Sequence, residues 1–264
     1  MKVLSIVQIL IFGKRSVSLR FRYRNLFLAL SLGSGTQITR IIGGTSTEIS
    51  LFPYQASLRT FDNRHFCGGS VVSDLWVLTA AHCITRQRAG SFVVVLATST
   101  LTDSGSIYGI SKIIAHASYN PESHVNDIAL LRMSKKITFG PTVKPIALSK
   151  IYPPAGAILT LSGWGLTRYP SNYVPNKLQT IQLVSISILR CKLSLPGYPV
   201  PSNHICTNQG RDKGACEGDS GGPLVYNGTQ AGVVSWGIPC AKGYPDVFTA
   251  IAAYESWIKQ FTAA

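Results

Sequence analysis

A serine set among glycines, in Gly214-Ala-Cys-Glu-Gly-Asp-Ser-Gly-Gly-Pro223, most limits what this chain can fold into. Gly218 to Gly222 satisfies G-x-S-x-G, the signature of a nucleophile on a sharp strand-to-helix turn in parallel-sheet hydrolases. That fold places its histidine after the serine. All five histidines here, His65, His82, His116, His124 and His204, come before Ser220. The parallel-sheet hydrolase is excluded. An Asp, His, Ser order fails as well, because Asp62 and Asp74 precede His82 without a matching motif. What stands is Thr79-Ala-Ala-His82-Cys83, then Asn126-Asp127-Ile-Ala-Leu-Leu131, then Ser220. A serine hydroxyl is a weak nucleophile until a base, itself oriented by a third group, takes its proton. His82 and Asp127 are residues of the right types for those two roles.

Each motif has a plainer reading when taken alone. A histidine beside a cysteine is usually structural, Asn-Asp before an apolar run is often a turn into a strand, and a serine between glycines is commonly just loop. Three such motifs in one order outweigh those readings. The chain resembles the trypsin/chymotrypsin family of serine endopeptidases, from Ile41 to Ala264. The resemblance implies an all-β fold, two six-stranded antiparallel β-barrels with a C-terminal α-helix and a cleft between the barrels. It implies His82 as general base and Asp127 as its orienting partner, with Ser220 as nucleophile. The N–H groups of Gly218 and Ser220 would form the oxyanion hole. The local pattern agrees with an all-β chain. Short apolar runs at Trp76–Thr79, Phe92–Leu96, Ile107–Ile114, Ile128–Leu131, Ile158–Leu161, Gln179–Ile186, Gly232–Trp236 and Val247–Thr249 alternate with turn residues. Only Ala252–Phe261 carries helical spacing, through Tyr254, Trp257, Ile258 and Phe261.

The segment before the first motif suggests processing. Arg40-Ile41-Ile42-Gly43-Gly44 is similar to the family's activation junction. Cleavage after Arg40 would free the Ile41 amine to pair with Asp219, so residues 34–40 read as an activation propeptide and 41–264 as the protease domain. Residues 1–33 read as an atypical secretory signal. Two apolar runs, Val3–Phe12 and Leu26–Gly33, flank a basic stretch, and residues 13–25 look like an insertion. Neither run approaches the about 20 apolar residues that span a bilayer, so no membrane anchor is expected.

Charge and cysteines bear on partners. Of the formal charge of +14, seven basic residues lie in residues 1–40, leaving 18 Lys/Arg against 11 Asp/Glu. Those are scattered, without the basic stripe and stacking aromatics of a nucleic-acid binder. Six cysteines in a secreted chain suggest three disulfides, and the count alone leaves their pairing open. The resemblance selects Cys67–Cys83, Cys191–Cys206 and Cys216–Cys240. No C-x-x-C or H-E-x-x-H spacing favours zinc, and neither a metal nor a cofactor is expected. Asn227-Gly-Thr229 is a glycosylation sequon.

Specificity departs from trypsin's pattern. Where trypsins carry the pocket-base aspartate, this chain has Gly214 followed by Ala215, while Asp246 replaces a pocket-wall glycine of the family in Gly243-Tyr-Pro-Asp246. A carboxylate there would accept basic side chains with weaker discrimination; turned to solvent, it would leave a chymotrypsin- or elastase-like pocket. Ser235-Trp236-Gly237 would pair with the substrate backbone by strand addition, and Glu217 would face the cleft. The expected partners are a protein or peptide substrate, an activating protease and a protein inhibitor, with the enzyme a monomer. The competing class is a non-catalytic homologue acting as a binding module; such chains usually lose a triad member or the activation junction, and this one keeps both.

Overall fold

The computed structural model describes residues 41–238 and 240–262. The N-terminal readings, residues 1–33, 34–40 and Arg40 among them, lie outside the described residues. In the first half of the domain the elements are β1 (Thr45–Ser46), β2 (Gln55–Arg59), β3 (His65–Val71), β4 (Trp76–Thr79), α1 (Ala81–Ile84), β5 (Val93–Leu96), β6 (Ser106–Tyr108), β7 (Ile110–Ala115) and β8 (Ala129–Met133). In the second half they are β9 (Ile158–Gly163), β10 (Gln179–Ile186), α2 (Ile188–Ser194), β11 (His204–Thr207), β12 (Pro223–Tyr226), β13 (Thr229–Gly237), β14 (Asp246–Ala250) and α3 (Glu255–Thr262).

All strand pairings are antiparallel. The second-half sheet runs β10-β11-β14-β13-β12-β9 and returns to β10, closing a six-stranded barrel with β1 added beside β10. The first-half sheet runs β6-β5-β2-β3-β4-β8-β7 as a half-barrel, and its two end strands are joined through Gly109 alone. The all-β expectation of two barrels and a terminal helix therefore holds. Closure also removes most free strand edges.

Alternation along β10 shows why these segments are strands. Gln179, Ile181, Leu183 and Ser185 are buried and the residues between them are not, so one face of the pleat meets the core. The β12–β13 hairpin turns on Asn227-Gly228, both at positive φ (48° and 74°), the backbone a two-residue turn with matching twist requires. Leu58, Val77, Leu78, Val94, Leu130 and Leu131 fill the first core, and Leu159, Leu161, Leu183, Leu224 and Phe248 fill the second. Helix α3 follows the last strand of the second barrel yet packs on the first. Ile258 and Tyr254 join the first barrel's core, with Trp257 and Phe261 beside them. Burying Ile258 contributes roughly 1.5–3 kcal/mol to holding the halves together. Three disulfides, Cys67–Cys83, Cys191–Cys206 and Cys216–Cys240, are those the resemblance implied. No described helix is long and apolar enough to cross a membrane.

Candidate active site

His82 stands on the single-turn helix α1, fixed by the neighbouring Cys83 disulfide to Cys67 in β3. Asp127 ends the loop before β8 and is fully buried. Its Oδ1 accepts the His82 backbone N–H at 2.9 Å and its Oδ2 accepts from His82 Nδ1 at 2.8 Å. Ser235 Oγ of β13 donates to the same Oδ2 at 2.6 Å, and Thr249 Oγ1 holds the Asp127 carbonyl at 2.8 Å. Burial alone would push this carboxyl up, but the hydrogen bonds and charge of His82 and the Ser235 hydroxyl keep it below its ordinary value. An ionised Asp127 requires the proton on His82 Nδ1, which leaves Nε2 as the basic nitrogen.

Ser220 reaches the first barrel through its own backbone. Its carbonyl accepts the Gly68 N–H of β3 at 2.7 Å. A Cβ on Gly68 would stand 3.0 Å from Gly222 Cα. Gly221 has φ +78°, and a Cβ there would lie 2.2 Å from Thr79 Oγ1. The glycines around the serine thus seat its loop against β3 and β4, a packing demand that the sequence alone did not reveal. Gly218 takes φ +97°, and His65 Nε2 donates to its carbonyl at 2.9 Å. Ser57 Oγ bonds His65 Nδ1 at 2.8 Å, and Arg59 Nε donates to Ser57 at 2.9 Å. Burial holds the His65 imidazole down to about 4, so it is neutral. The motif reading passed over this chain of contacts, because neither Ser57 nor His65 sits in a patterned stretch.

Beside Ser220 lies a pocket of about 260 Å³. Ala215, Glu217, Ser235, Trp236, Gly237 and Asp246 help to line it; of the residues singled out for substrate binding, Gly214 is not in the lining. Glu217 is exposed. The Asp246 side chain turns inward: Oδ2 accepts the Ala215 N–H at 2.9 Å and stands 2.6 Å from where a Cβ on Gly214 would be. The missing side chain at Gly214 is therefore the space that the Asp246 carboxylate fills. Burial pushes the Asp246 carboxyl up to about 7, with the Asp219 charge adding to the shift and the Ala215 N–H opposing it.

Ile41 and Asp219 are both fully buried. Asp219 accepts from Gly165 N at 2.8 Å and Cys216 N at 3.0 Å. Burial carries its carboxyl up to about 7 against those two donors. Gly163 and Gly165 make the room, since a Cβ on either would fall within 2.3 Å of an Asp219 oxygen. The Ile42 carbonyl accepts the Gly214 N–H at 3.1 Å, so the start of the domain is tied to the pocket segment. Asn227 is exposed at its hairpin tip.

Comparisons agree with this geometry. The Trypsin family model matches residues 41–258. Trypsin alpha of Drosophila erecta is 42% identical over 225 residues, covering 83% of this chain and 86% of its own. Chymotrypsin-2 of Vespa crabro is 40% identical over 221 residues, covering 83% and 99%. Among solved structures, neuropsin, a serine protease expressed in the limbic system of mouse brain, superposes with a TM-score of 0.77 at 34% identity, covering 82% of this chain and 97% of its own. The chain belongs to the trypsin family, and it is a serine endopeptidase acting on protein substrates.

Proposed function

We propose that the protein is made as a secreted zymogen and cleaves after Arg or Lys with relaxed selectivity through an acyl-enzyme. In this reading residues 1–33 direct secretion, residues 34–40 form the propeptide and 41–264 form the enzyme. Three disulfides suit an oxidising compartment. Ser220 attacks the scissile carbonyl while His82 Nε2 takes its proton and later returns it to the leaving amine. Asp127 holds the tautomer and stabilises the imidazolium. The N–H groups of Gly218 and Ser220 stabilise the oxyanion, one such donor being worth about 2.7–4 kcal/mol. Water then repeats the sequence on the acyl-enzyme.

The observation that carries the reading is Ser235. It lines the pocket that holds Ser220 and donates to the Asp127 oxygen that His82 also bonds, so nucleophile pocket and base pair share one contact network. Activation follows from Asp219, a buried carboxyl among backbone donors. Cutting after Arg40 creates an ammonium at Ile41, already buried in the same barrel. Breaking such a buried pair from one side costs on the order of 3–5 kcal/mol, enough to order or disorder the neighbouring Gly218 loop. An activating protease, a protein inhibitor and a monomeric state complete the reading. Asp246, in the pocket wall, favours a basic side chain.

The test is a peptide panel varying only the residue before the scissile bond, run on protein cut after Arg40. Arg and Lys peptides should lead, with measurable cleavage after Phe, Tyr and Leu. A panel led by Phe or Leu would replace this reading with a chymotrypsin- or elastase-like one.

A further inference from the structure

We propose that Arg59 is a positioning residue for the oxyanion hole, because its Nε–H directs the chain of hydrogen bonds that anchors the Gly218 peptide. The inference rests on reading the Gly218 and Ser220 N–H groups as the oxyanion donors, and it extends that site into the core of the first barrel. Arg59 ends β2, is fully buried, and belongs to none of the motifs that mark the active site.

The chain of contacts runs in one direction. A guanidinium can only donate. Arg59 Nε–H goes to Ser57 Oγ at 2.9 Å, and the one other side-chain contact of that hydroxyl, among the described residues, is His65 Nδ1 at 2.8 Å. The Ser57 proton therefore points to Nδ1, and the His65 ring carries its own proton on Nε2. Burial, helped by the Arg59 charge, keeps a second proton off the ring. Nε2–H then meets the Gly218 carbonyl at 2.9 Å, and among the described residues no other group donates to that oxygen. The anchor matters because Gly218 sits at φ +97°, where glycine has no side chain to restrain its backbone. Without Arg59 the Ser57 hydroxyl is free to accept from Nδ1 instead. Each molecule that makes this exchange turns an Nε2 lone pair on the Gly218 carbonyl and loses the anchor. A chain of bonds polarised in one sense is also stronger than its members taken singly.

A purely structural Arg59 accounts for the far end of the side chain. Nη1 donates to the Leu101 and Asp103 carbonyls at 2.9 and 3.0 Å and to Asn63 Oδ1 at 2.9 Å. It does not account for the aim of Nε, nor for a buried cation at all. Among the described residues no carboxylate pairs with Arg59, and an unpaired buried charge is costly. An apolar side chain would fill the same space at lower cost, but it would leave Ser57 without its donor.

Two substitutions of similar length separate the roles. Glutamine places an amide N–H where Nε stands and methionine places a methyl group there, while both give up the contacts of Nη1. Measured as kcat and KM for an Arg peptide amide, on protein cut after Arg40 and counted by active-site titration, Arg59→Met should lower kcat roughly ten- to hundredfold. KM should change less than about threefold, since the oxyanion forms only in the transition state. Arg59→Gln should recover most of the lost kcat, although it loses the same contacts to Leu101 and Asp103. Ser57→Ala, which leaves those contacts in place, should also lower kcat and keeps the test open if Arg59→Met does not fold. Nitrogen-15 spectra of the His65 ring should show a single Nε2–H form in wild type and Arg59→Gln, and a mixture in Arg59→Met. Wild-type kcat in both Arg59→Met and Ser57→Ala overturns the proposal. So does an equal loss in Arg59→Gln and Arg59→Met, or a wild-type ring proton on Nδ1. Absence of hydrolysis by cut wild-type protein would instead refute the catalytic reading, and the ring spectra would still decide whether Arg59 sets the His65 proton.

Discussion

Replacing Asp246 by Asn removes one charge from the pocket and almost no volume. The amide oxygen can still accept the Ala215 N–H that Asp246 Oδ2 now accepts at 2.9 Å, so the wall should keep its shape. What disappears is attraction for a guanidinium. Losing a charge-assisted hydrogen bond costs about 1.5–3 kcal/mol, or roughly ten- to 150-fold in kcat/KM for an Arg peptide, while a matched Phe peptide is spared. The pH dependence sharpens the test. With its carboxyl raised to about 7, chiefly by burial, Asp246 is neutral below that pH and charged above it. The wild-type Arg/Phe ratio of kcat/KM should therefore climb as pH rises through about 7. A pH effect on chemistry common to both substrates cancels in the ratio. In Asp246→Asn the ratio should be low and flat. An unchanged ratio in the variant, or a pH-independent ratio in the wild type, would mean that the carboxylate does not read the substrate.

Three further outcomes follow from named contacts. Moving the charge, Gly214→Asp with Asp246→Gly, should restore Arg preference, because the Gly214 Cβ position that Asp246 Oδ2 crowds at 2.6 Å becomes free; continued loss of Arg cleavage would count against a shared site. The Arg40→Gln precursor should resist activation and leave Asp219 without a cation. Its carboxyl, raised to about 7 when folded, holds a proton that the unfolded chain has lost, so stability should fall as pH rises from about 4 through 7. Wild-type protein cut after Arg40 should lose less, and equal melting shifts between pH 5 and 8 would contradict the pairing. Finally, Arg59 is fully buried and donates to the carbonyls of Leu101 and Asp103 and to Asn63. Arg59→Met should destabilise the domain by roughly 2–4 kcal/mol in denaturant titrations, since those acceptors and Ser57 lose charged donors; a change below about 0.5 kcal/mol would show that water replaces it.

The readable parts of the chain were those where one residue type has one use. The order of His82, Asp127 and Ser220 excluded two folds, whereas the direction of Asp246 stayed open in the sequence, because its inward reach depends on the space that Gly214 leaves in the folded chain. Strands with a clean apolar run, such as β4 and β10, were visible, whereas β2, β3 and β11 were not. β3 carries Gly68 and Gly69 because another loop packs on its backbone. β2 buries Arg59, and β11 buries His204, so polar residues interrupt the pattern that marks a core strand. The run from Ile107 to Ile114 read as one strand, but the sheet bends at Gly109 and it becomes β6 and β7. His65 was missed because its partner, the Gly218 carbonyl, comes from a distant segment.

The central claim is that Ser220 is a nucleophile made competent by cleavage after Arg40. A serine-directed fluorophosphonate, applied before and after that cut and mapped by peptide mass spectrometry, tests it most directly. One adduct per chain should form, on Ser220, rapidly only once Ile41 is the N-terminus, and none should form in Ser220→Ala. Properly cut, folded protein that takes no label, or takes it on another serine, would contradict the claim and favour a non-catalytic binding homologue.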